Sequence, residues 1–319
     1  MIAMQDPIYE KLTKEPRPTL FATGVLLLLA TLGLWLSSLL ELALPQSASP
    51  LVINASYYLP FIALPLALYA RRRPGIGGAL RLNPPPLLPT LALAPLAILS
   101  VYVASTLAFF WELLLNALGF HSPGGFAQPQ TEAELALAIV SMAAMPAVCE
   151  ELLFRGFALS AWESRGTRFA IGVTALLFAL LHGNLYGLPA YLLVGAVAGF
   201  VTFALDSVYA GIVYHTVYNA ACLVIPFLLS GGDGDGEIAL SLWMAVRIVL
   251  EFAMRLGMMG LLLAALWLRA RRAGIDPIPR IRRPLEDGER VMLILSAGAM
   301  LLSLLIVTLL AFARQGGSL

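Results

Sequence analysis

Long apolar runs, separated by short polar breaks, recur along most of the chain. A bilayer core about 30 Å thick is crossed by roughly 20 apolar helical residues, and nine runs approach or exceed that length. This pattern predicts an all-α fold, a polytopic transmembrane helical bundle of about eight or nine spans that forms a single multi-pass membrane domain at 19–316. The predicted spans are 19–41, 51–70, 89–116, 134–160, 168–184, 188–205, 207–230, 243–268 and 291–313.

The basic residues are distributed unequally between the two sides of this topology. Cytoplasmic loops are enriched in Lys and Arg, and an N-terminus inside places sixteen of the twenty basic residues on the cytoplasmic side. We therefore expect a cytoplasmic tail at 1–18, an external C-terminus and an integral protein of a bacterial or archaeal cytoplasmic membrane. The sixteen residues are Lys11, Lys14, Arg17, Arg71, Arg72, Arg73, Arg81, Arg165, Arg168, Arg269, Arg271, Arg272, Arg280, Arg282, Arg283 and Arg290.

Composition agrees with a membrane setting and excludes binding by bulk charge. Hydrophobic residues make up 60% of the chain and charged residues 12%, about half the charged share of an ordinary soluble domain. The formal net charge of +1 provides no field that would attract nucleic acid. Cys149 and Cys222 lie far apart in apolar runs, so neither a disulfide framework nor a metal-finger spacing is present.

Polar residues interrupt three of the predicted spans. Ionisable side chains inside a span are costly and are functional candidates by default. Two of the chain's three histidines fall in these spans, at depths consistent with one polar site in the membrane interior. The polar positions and the aromatic residue that accompanies them are Glu150, Glu151 and Arg155 in the fourth span, Phe178 and His182 in the fifth, and His215 and Asn219 in the seventh.

Helical geometry separates the two adjacent glutamates of the fourth span. Glu151 and Arg155 are four residues apart and share a helix face, so they can form an ion pair. Glu150 points elsewhere and has no cation nearby in the sequence, which makes it the candidate general base. Pro146 cannot donate a backbone hydrogen bond, so we expect the helix to be bent or loosened just before the two glutamates.

A carboxylate, two imidazoles and a carboxamide together offer a base for water and donors for a developing oxyanion. Those are the groups that an amide hydrolase needs. From the chemistry alone, an ion or proton pathway and simple helix-to-helix hydrogen bonding remain alternatives.

The three motifs, in this order and within apolar helices, resemble those of the CPBP intramembrane glutamic endopeptidases. This group, also called the Abi family, includes the type II CAAX prenyl endopeptidases. The motifs read Glu-Glu-x-x-x-Arg at 150–155, Phe-x-x-x-His at 178–182 and His-x-x-x-Asn at 215–219. Each motif alone is weak, but the ordered set is specific, and it indicates a protease core at about 134–230.

The resemblance implies an endopeptidase that cleaves a membrane-embedded or lipidated substrate, either in CAAX-type processing or in peptide maturation. It implies that Glu150 and His182 activate the attacking water, that His215 and Asn219 hold the oxyanion, and that no cofactor takes part. The expected partners are therefore the lipid bilayer and a membrane-associated peptide or protein, and not nucleic acid. The supporting residues would be Glu151, Arg155 and Phe178.

Three other interpretations of these residues stay open. Glu150, His182 and His215 would also make a two-histidine, one-carboxylate zinc site, although the chain has no His-Glu-x-x-His. The same charges fit a proton- or ion-coupled transporter, although no internal repeat of the kind common in transporters is evident. A non-catalytic membrane protein of the bacteriocin-immunity type is the third interpretation.

Overall fold

The structure, a computed structural model, describes residues 17–44, 49–122, 128–229, 242–279 and 284–316. Within these ranges the chain forms helices joined by turns and loops, with no strand, which confirms the all-α prediction. We number the helices α1 (Leu20–Ala43), α2 (Pro50–Arg71), α3 (Leu93–Ala117, preceded by a short turn of helix at Leu87–Leu91), α4 (Glu132–Glu163), α5 (Thr167–Leu181), α6 (Leu188–Leu205), α7 (Val208–Leu229), α8 (Leu242–Arg272) and α9 (Asp287–Gly316).

Among the described residues, eight helices are long and apolar enough to cross a membrane. The remaining helix, α5, is an apolar helix of 15 residues and is therefore about 22 Å long. Eight full-length helices and one shorter helix confirm the prediction of a multi-pass bundle with about eight or nine spans.

The C-terminal end of α5 differs from the predicted span at 168–184. The helix ends at Leu181, and His182 is its C-cap residue. Gly183 adopts φ +57°, a left-handed conformation that costs glycine little and that ends helices. The Asn184 carboxamide oxygen then accepts hydrogen bonds from the backbone N–H groups of Tyr186 and Gly187. His182 therefore lies at the junction between α5 and the loop that follows it, and not inside a continuous helix.

Helix α4 is loosened before its two glutamates, as the proline predicts. Residues Ile139–Ala144 form a π-helical segment directly ahead of Pro146, and a second π-helical segment follows at Leu152–Ala158. The short α-helical stretch Met145–Glu151 between them carries both glutamates. Wide turns of this kind arise where the i to i−4 hydrogen-bond ladder is interrupted, and they are frequent at functional sites.

Two glycines allow α6 to pack closely against α5. A Cβ atom at Gly195 would lie 3.0 Å from the Cα of Ala175, and one at Gly199 would lie 3.3 Å from a methyl carbon of Ile171. Small residues four apart let helix backbones approach in this way in membranes. The approach brings the backbone of α6 within reach of the interior of α4.

One end of the bundle holds a buried cluster of charges. The Nη2 group of Arg81 donates to both carboxylate oxygens of Glu163 at 2.8 Å, and its Nε donates to Asp206 at 3.0 Å. Arg17 lies 3.3 Å from the same Glu163 carboxylate. Burial by itself lowers the pKa of Arg81, but the Glu163 and Asp206 carboxylates outweigh it, so the pKa lies above its ordinary value.

This cluster defines what we call the basic end of the molecule. The start of α1, the end of α4 and the α6–α7 turn meet there through Arg17, Glu163 and Asp206. Arg269, near the end of α8, donates to the Ala204 carbonyl in the last turn of α6. Five residues assigned to the cytoplasmic side fall outside the described residues, as does most of the predicted tail at 1–18: Lys11, Lys14, Arg280, Arg282 and Arg283.

Candidate active site

Six of the seven predicted site residues form one connected group in the interior of the bundle, between α4, α5 and α7. A tyrosine from α2 completes the group, which we call the polar site. Its members are Tyr58, Glu150, Glu151, Arg155, Phe178, His182 and His215.

Glu151 is held on both sides by partners within the polar site. Its Oε1 atom lies 2.8 Å from Nη1 of Arg155, so the ion pair predicted from the i, i+4 spacing is confirmed. The same oxygen lies 2.9 Å from Nδ1 of His215. A carboxylate paired with Arg155 can only accept hydrogen bonds, so Nδ1 of His215 is the donor. This contact directs the Nε2 atom of His215 towards Glu150.

Glu150 has a different environment from that of its neighbour. Its Oε1 atom accepts a hydrogen bond of 2.6 Å from the Tyr58 hydroxyl. Its Oε2 atom lies 4.0 Å from Nε2 of His215, which is too far for a direct hydrogen bond. Glu150 is buried. Tyr58 fixes one of its carboxylate oxygens, and the other faces His215 across a gap.

His182 is oriented by its own helix. Its Nδ1 atom lies 2.8 Å from the Phe178 carbonyl oxygen. Because a carbonyl oxygen only accepts, Nδ1 carries the proton, and Nε2 of the neutral ring is an acceptor. The Tyr191 ring stacks on the imidazole with centroids 4.0 Å apart, so the ring plane is held from one face as well.

The Phe178 ring packs against His182, His215 and Arg155. Its ring centroid lies 4.6 Å from that of His182 and 5.6 Å from that of His215. The Arg155 guanidinium carbon lies 4.6 Å from the same centroid, in a cation–π contact. Arg155 also donates to the Gly195 carbonyl at 2.9 Å. The close approach of α6 to α5 therefore supplies a backbone acceptor for a fully buried arginine.

Asn219 is the predicted site residue for which the described residues provide no hydrogen-bond partner. It lies one turn after His215 on the same face of α7 and is half-buried. Its carboxamide is therefore available to a bound molecule at the level of the polar site.

Two residues of the site escape sequence reasoning. Tyr58 belongs to a separate span with no motif of its own, and only the packing of α2 against α4 brings it to Glu150. Gly211 lies where a Cβ atom would come within 2.7 Å of Glu151 Oε2 and 2.5 Å of Thr202 Oγ1. The one sequence signal for Gly211 is that it precedes His215 by one helical turn.

The described residues form no group of three or more His, Cys, Asp or Glu side chains arranged to hold a metal ion. Glu150, His182 and His215 are therefore near one another without forming a ligand set in this conformation. Three of their polar atoms are already engaged: Oε1 of Glu150, Nδ1 of His182 and Nδ1 of His215.

The remaining atoms of these residues are suited to hydrolytic chemistry. Oε2 of Glu150 and Nε2 of His182 can each accept a proton, while the charge of Arg155 compensates that of Glu151. A buried site that excludes bulk water strengthens each of these electrostatic interactions.

Residues 132–221 match a family model described as type II CAAX prenyl endopeptidase Rce1-like. The match contains every predicted site residue and covers less than a third of the chain, and it confirms the resemblance inferred from the motifs. No curated protein and no solved structure matches the chain.

Proposed function

We propose that this protein is an intramembrane endopeptidase that hydrolyses a peptide bond in a membrane-associated peptide or protein. Similarity of residues 132–221 to the type II CAAX prenyl endopeptidase model supports a membrane peptidase. The observation that carries the proposal is the contrast between two adjacent buried glutamates. Glu151 is neutralised by Arg155 at 2.8 Å, whereas Oε2 of Glu150 faces His215 across 4.0 Å.

In the proposed mechanism, Glu150 and His182 activate the attacking water. A water molecule bound by Glu150 Oε2 and His182 Nε2 loses a proton to this pair as its oxygen bonds to the substrate carbonyl carbon. The carbonyl double bond opens to a tetrahedral oxyanion. When the carbon–nitrogen bond breaks, the same pair returns the proton to the leaving amine, so the site is regenerated.

His215 and Asn219 are the proposed oxyanion stabilisers. They lie one turn apart on α7, so the ring Nε2 and the carboxamide of Asn219 can converge on one oxygen. In this role His215 donates from Nε2 while its Nδ1–H is held by Glu151, and the imidazolium so required is flanked by two carboxylates. Arg155 and Phe178 keep Glu151 and the two imidazole rings in place.

We also propose that the basic end faces the cytoplasm and that the N-terminus is on that side. The asymmetric placement of Lys and Arg supports this orientation, since such residues are retained on the cytoplasmic side of membranes. The catalytic domain would then be the multi-pass domain at 19–316, with the protease core at about 134–230.

The proposed function is tested with the purified full-length protein in proteoliposomes. Two quenched fluorescent peptides serve as probes, one farnesylated with a CAAX terminus and one unmodified with an apolar segment. We expect Glu150→Gln to reduce cleavage by about a hundredfold or more, because a general base contributes at least that much. The matched control is Glu132→Gln, an exposed glutamate at the start of the same helix, which should cleave at the parent rate.

Cleavage by Glu150→Gln at the parent rate would show that Glu150 is not the base. Comparing the peptides that accumulate in cells carrying Glu150→Gln and Glu132→Gln then identifies the natural substrate. The comparison also reports whether that substrate is prenylated.

Metal dependence is tested in the same assay. Because Glu150, His182 and His215 do not form a three-ligand set, we expect cleavage to continue after treatment with o-phenanthroline. Loss of activity that added Zn²⁺ restores would contradict the glutamate-dependent mechanism.

A further inference from the structure

A cavity of about 630 Å³ lies between α1 and α9 and reaches His182 of the polar site. Its walls come from the second half of each helix, from His182 and from the loop that follows α5. We call this cavity the α1–α9 groove. Its lining includes Leu34, Leu39, Ile306, Val307, Leu310 and His182.

The α1–α9 groove lies in the half of the bundle away from the basic end. Leu39 is 19 residues beyond Leu20, and Val307 is 20 residues beyond Asp287. At 1.5 Å per residue, both groove positions are roughly 30 Å along their helices from the basic end. His182 is likewise at the far end of α5 from the basic end. The groove therefore leads to His182 from the half of the bundle opposite the basic end.

The groove opens sideways towards the lipid. Leu39 and Leu310 are 63% and 56% exposed, and both lie on helices that span the bilayer by length and composition. In a membrane, such exposed apolar side chains face hydrocarbon. A molecule in the groove would therefore be open to lateral exchange with the bilayer core while it lies against His182.

We propose that the α1–α9 groove binds an apolar stretch of a peptide substrate drawn from the outer half of the bilayer. This inference rests on the proposed function, because a groove lined by His182 holds its occupant with a peptide bond beside the polar site. The volume lies within the range of pockets that enclose a small ligand and holds a few apolar side chains. A hydrocarbon chain alone would present no hydrolysable bond to His182.

This assignment specifies the class of substrate. The substrate would carry its cleavage site beside an apolar segment on the side of the membrane away from the basic end. With the basic end in the cytoplasm, that description fits a membrane-inserted or exported peptide. A soluble cytoplasmic tail whose lipid lies in the inner leaflet would not reach the groove.

Photo-cross-linking tests the occupant directly. A photoreactive amino acid is placed at Val307 in the groove or at Leu305, which is outside the groove lining on the same helix. Leu305 is a matched control, because the side chains of Val307 and Leu305 are similarly exposed, at 48% and 54%. The probes are two biotinylated peptides with either five leucines or five serines between lysine flanks, added to full-length Glu150→Gln protein in nanodiscs.

We expect the leucine peptide to label position 307 about tenfold more strongly than position 305, and the serine peptide to label neither. Excess unlabelled leucine peptide should abolish the adduct, while palmitic acid at the same concentration should not. Equal labelling at both positions would show only partition into lipid. Displacement by palmitic acid would identify a lipid site. Either result overturns the proposal.

A second variant tests the groove in the active protein. Val307→Trp fills the groove and should raise KM for the unmodified apolar reporter about tenfold with little change in kcat, whereas Leu305→Trp should behave like the parent. A fall in kcat alone, or an equal loss in both variants, contradicts a binding role. Cross-linking requires no turnover, so failure of the groove is distinguishable from failure of the glutamate mechanism.

Discussion

At the scale of single residues, two adjacent glutamates in the same buried region have different partners. The carboxylate of Glu151 contacts Arg155 and His215, whereas that of Glu150 receives one hydrogen bond from the Tyr58 hydroxyl. A buried carboxylate that keeps one oxygen outside this hydrogen bond is suited to accept a proton. Tyr58 is therefore a positioning residue, since it acts on the reaction only through Glu150.

Tyr58→Phe should reduce kcat about tenfold, because it removes a hydrogen bond to a charged group. Because Tyr58 acts on the reaction only through Glu150, KM for the reporter peptide should stay near the parent value. The control is Tyr57→Phe, the neighbouring buried tyrosine, whose ring packs against Tyr58 at 4.7 Å. Equal kcat values for the two variants would show that Tyr58 only fills space.

At the scale of helices, α7 must pass very close to α4 for His215 to reach Glu151. Gly211 makes this approach possible, because a Cβ atom there would meet both Glu151 and Thr202 at less than 3 Å. The two π-helical segments of α4 flank the short α-helical stretch that carries both glutamates. The site therefore combines the π-helical segments of α4 with a glycine at position 211 of α7.

Gly211→Ala should therefore displace the Glu151 carboxylate and, with it, His215. We expect cleavage to fall at least about tenfold while the protein still inserts, because one hydrogen-bonded pair is disturbed and not the whole core. Gly172→Ala in α5 is the control, since a Cβ atom there meets nothing within 4 Å. Both variants should be compared by cleavage rate and by thermal unfolding. Equal activity in the two would contradict the tight α4–α7 contact.

At the scale of the whole molecule, the basic end and the groove lie at opposite ends of the bundle, and the proposed groove would receive substrate from the side away from the basic end. At the basic end, Arg81 binds Glu163 of α4 and Asp206 of the α6–α7 turn. The α1–α9 groove lies at the opposite end of the bundle. Orientation in the membrane therefore decides which compartment supplies the substrate.

The orientation is tested by thiol labelling of intact cells after Cys149 and Cys222 are replaced by alanine. Gln128→Cys, at an exposed position ahead of α4, should react with a membrane-impermeant maleimide added outside. Arg73→Cys, exposed at the other side of the bundle, should react only after the membrane is opened. The reverse pattern would place the groove in the inner half of the bilayer and exclude an external substrate.

The sequence by itself determined the membrane fold, because hydrophobic run length reports directly on whether a helix can cross a bilayer. It also determined the Glu151–Arg155 pair and the loosening before Pro146, since both follow from spacing within one helix. The location of one polar site followed from the cost of charge in lipid.

Only the tertiary structure decided the contacts that link separate helices. Tyr58 reaches Glu150, and Gly211 admits the Glu151 carboxylate, through packing between elements far apart in the chain. The early end of α5 at Leu181 and the groove beside His182 likewise depend on how the loop and the helices α1 and α9 pack together. Periodicity within a span indicates which residues share a face of that helix, but not which face of another helix they meet.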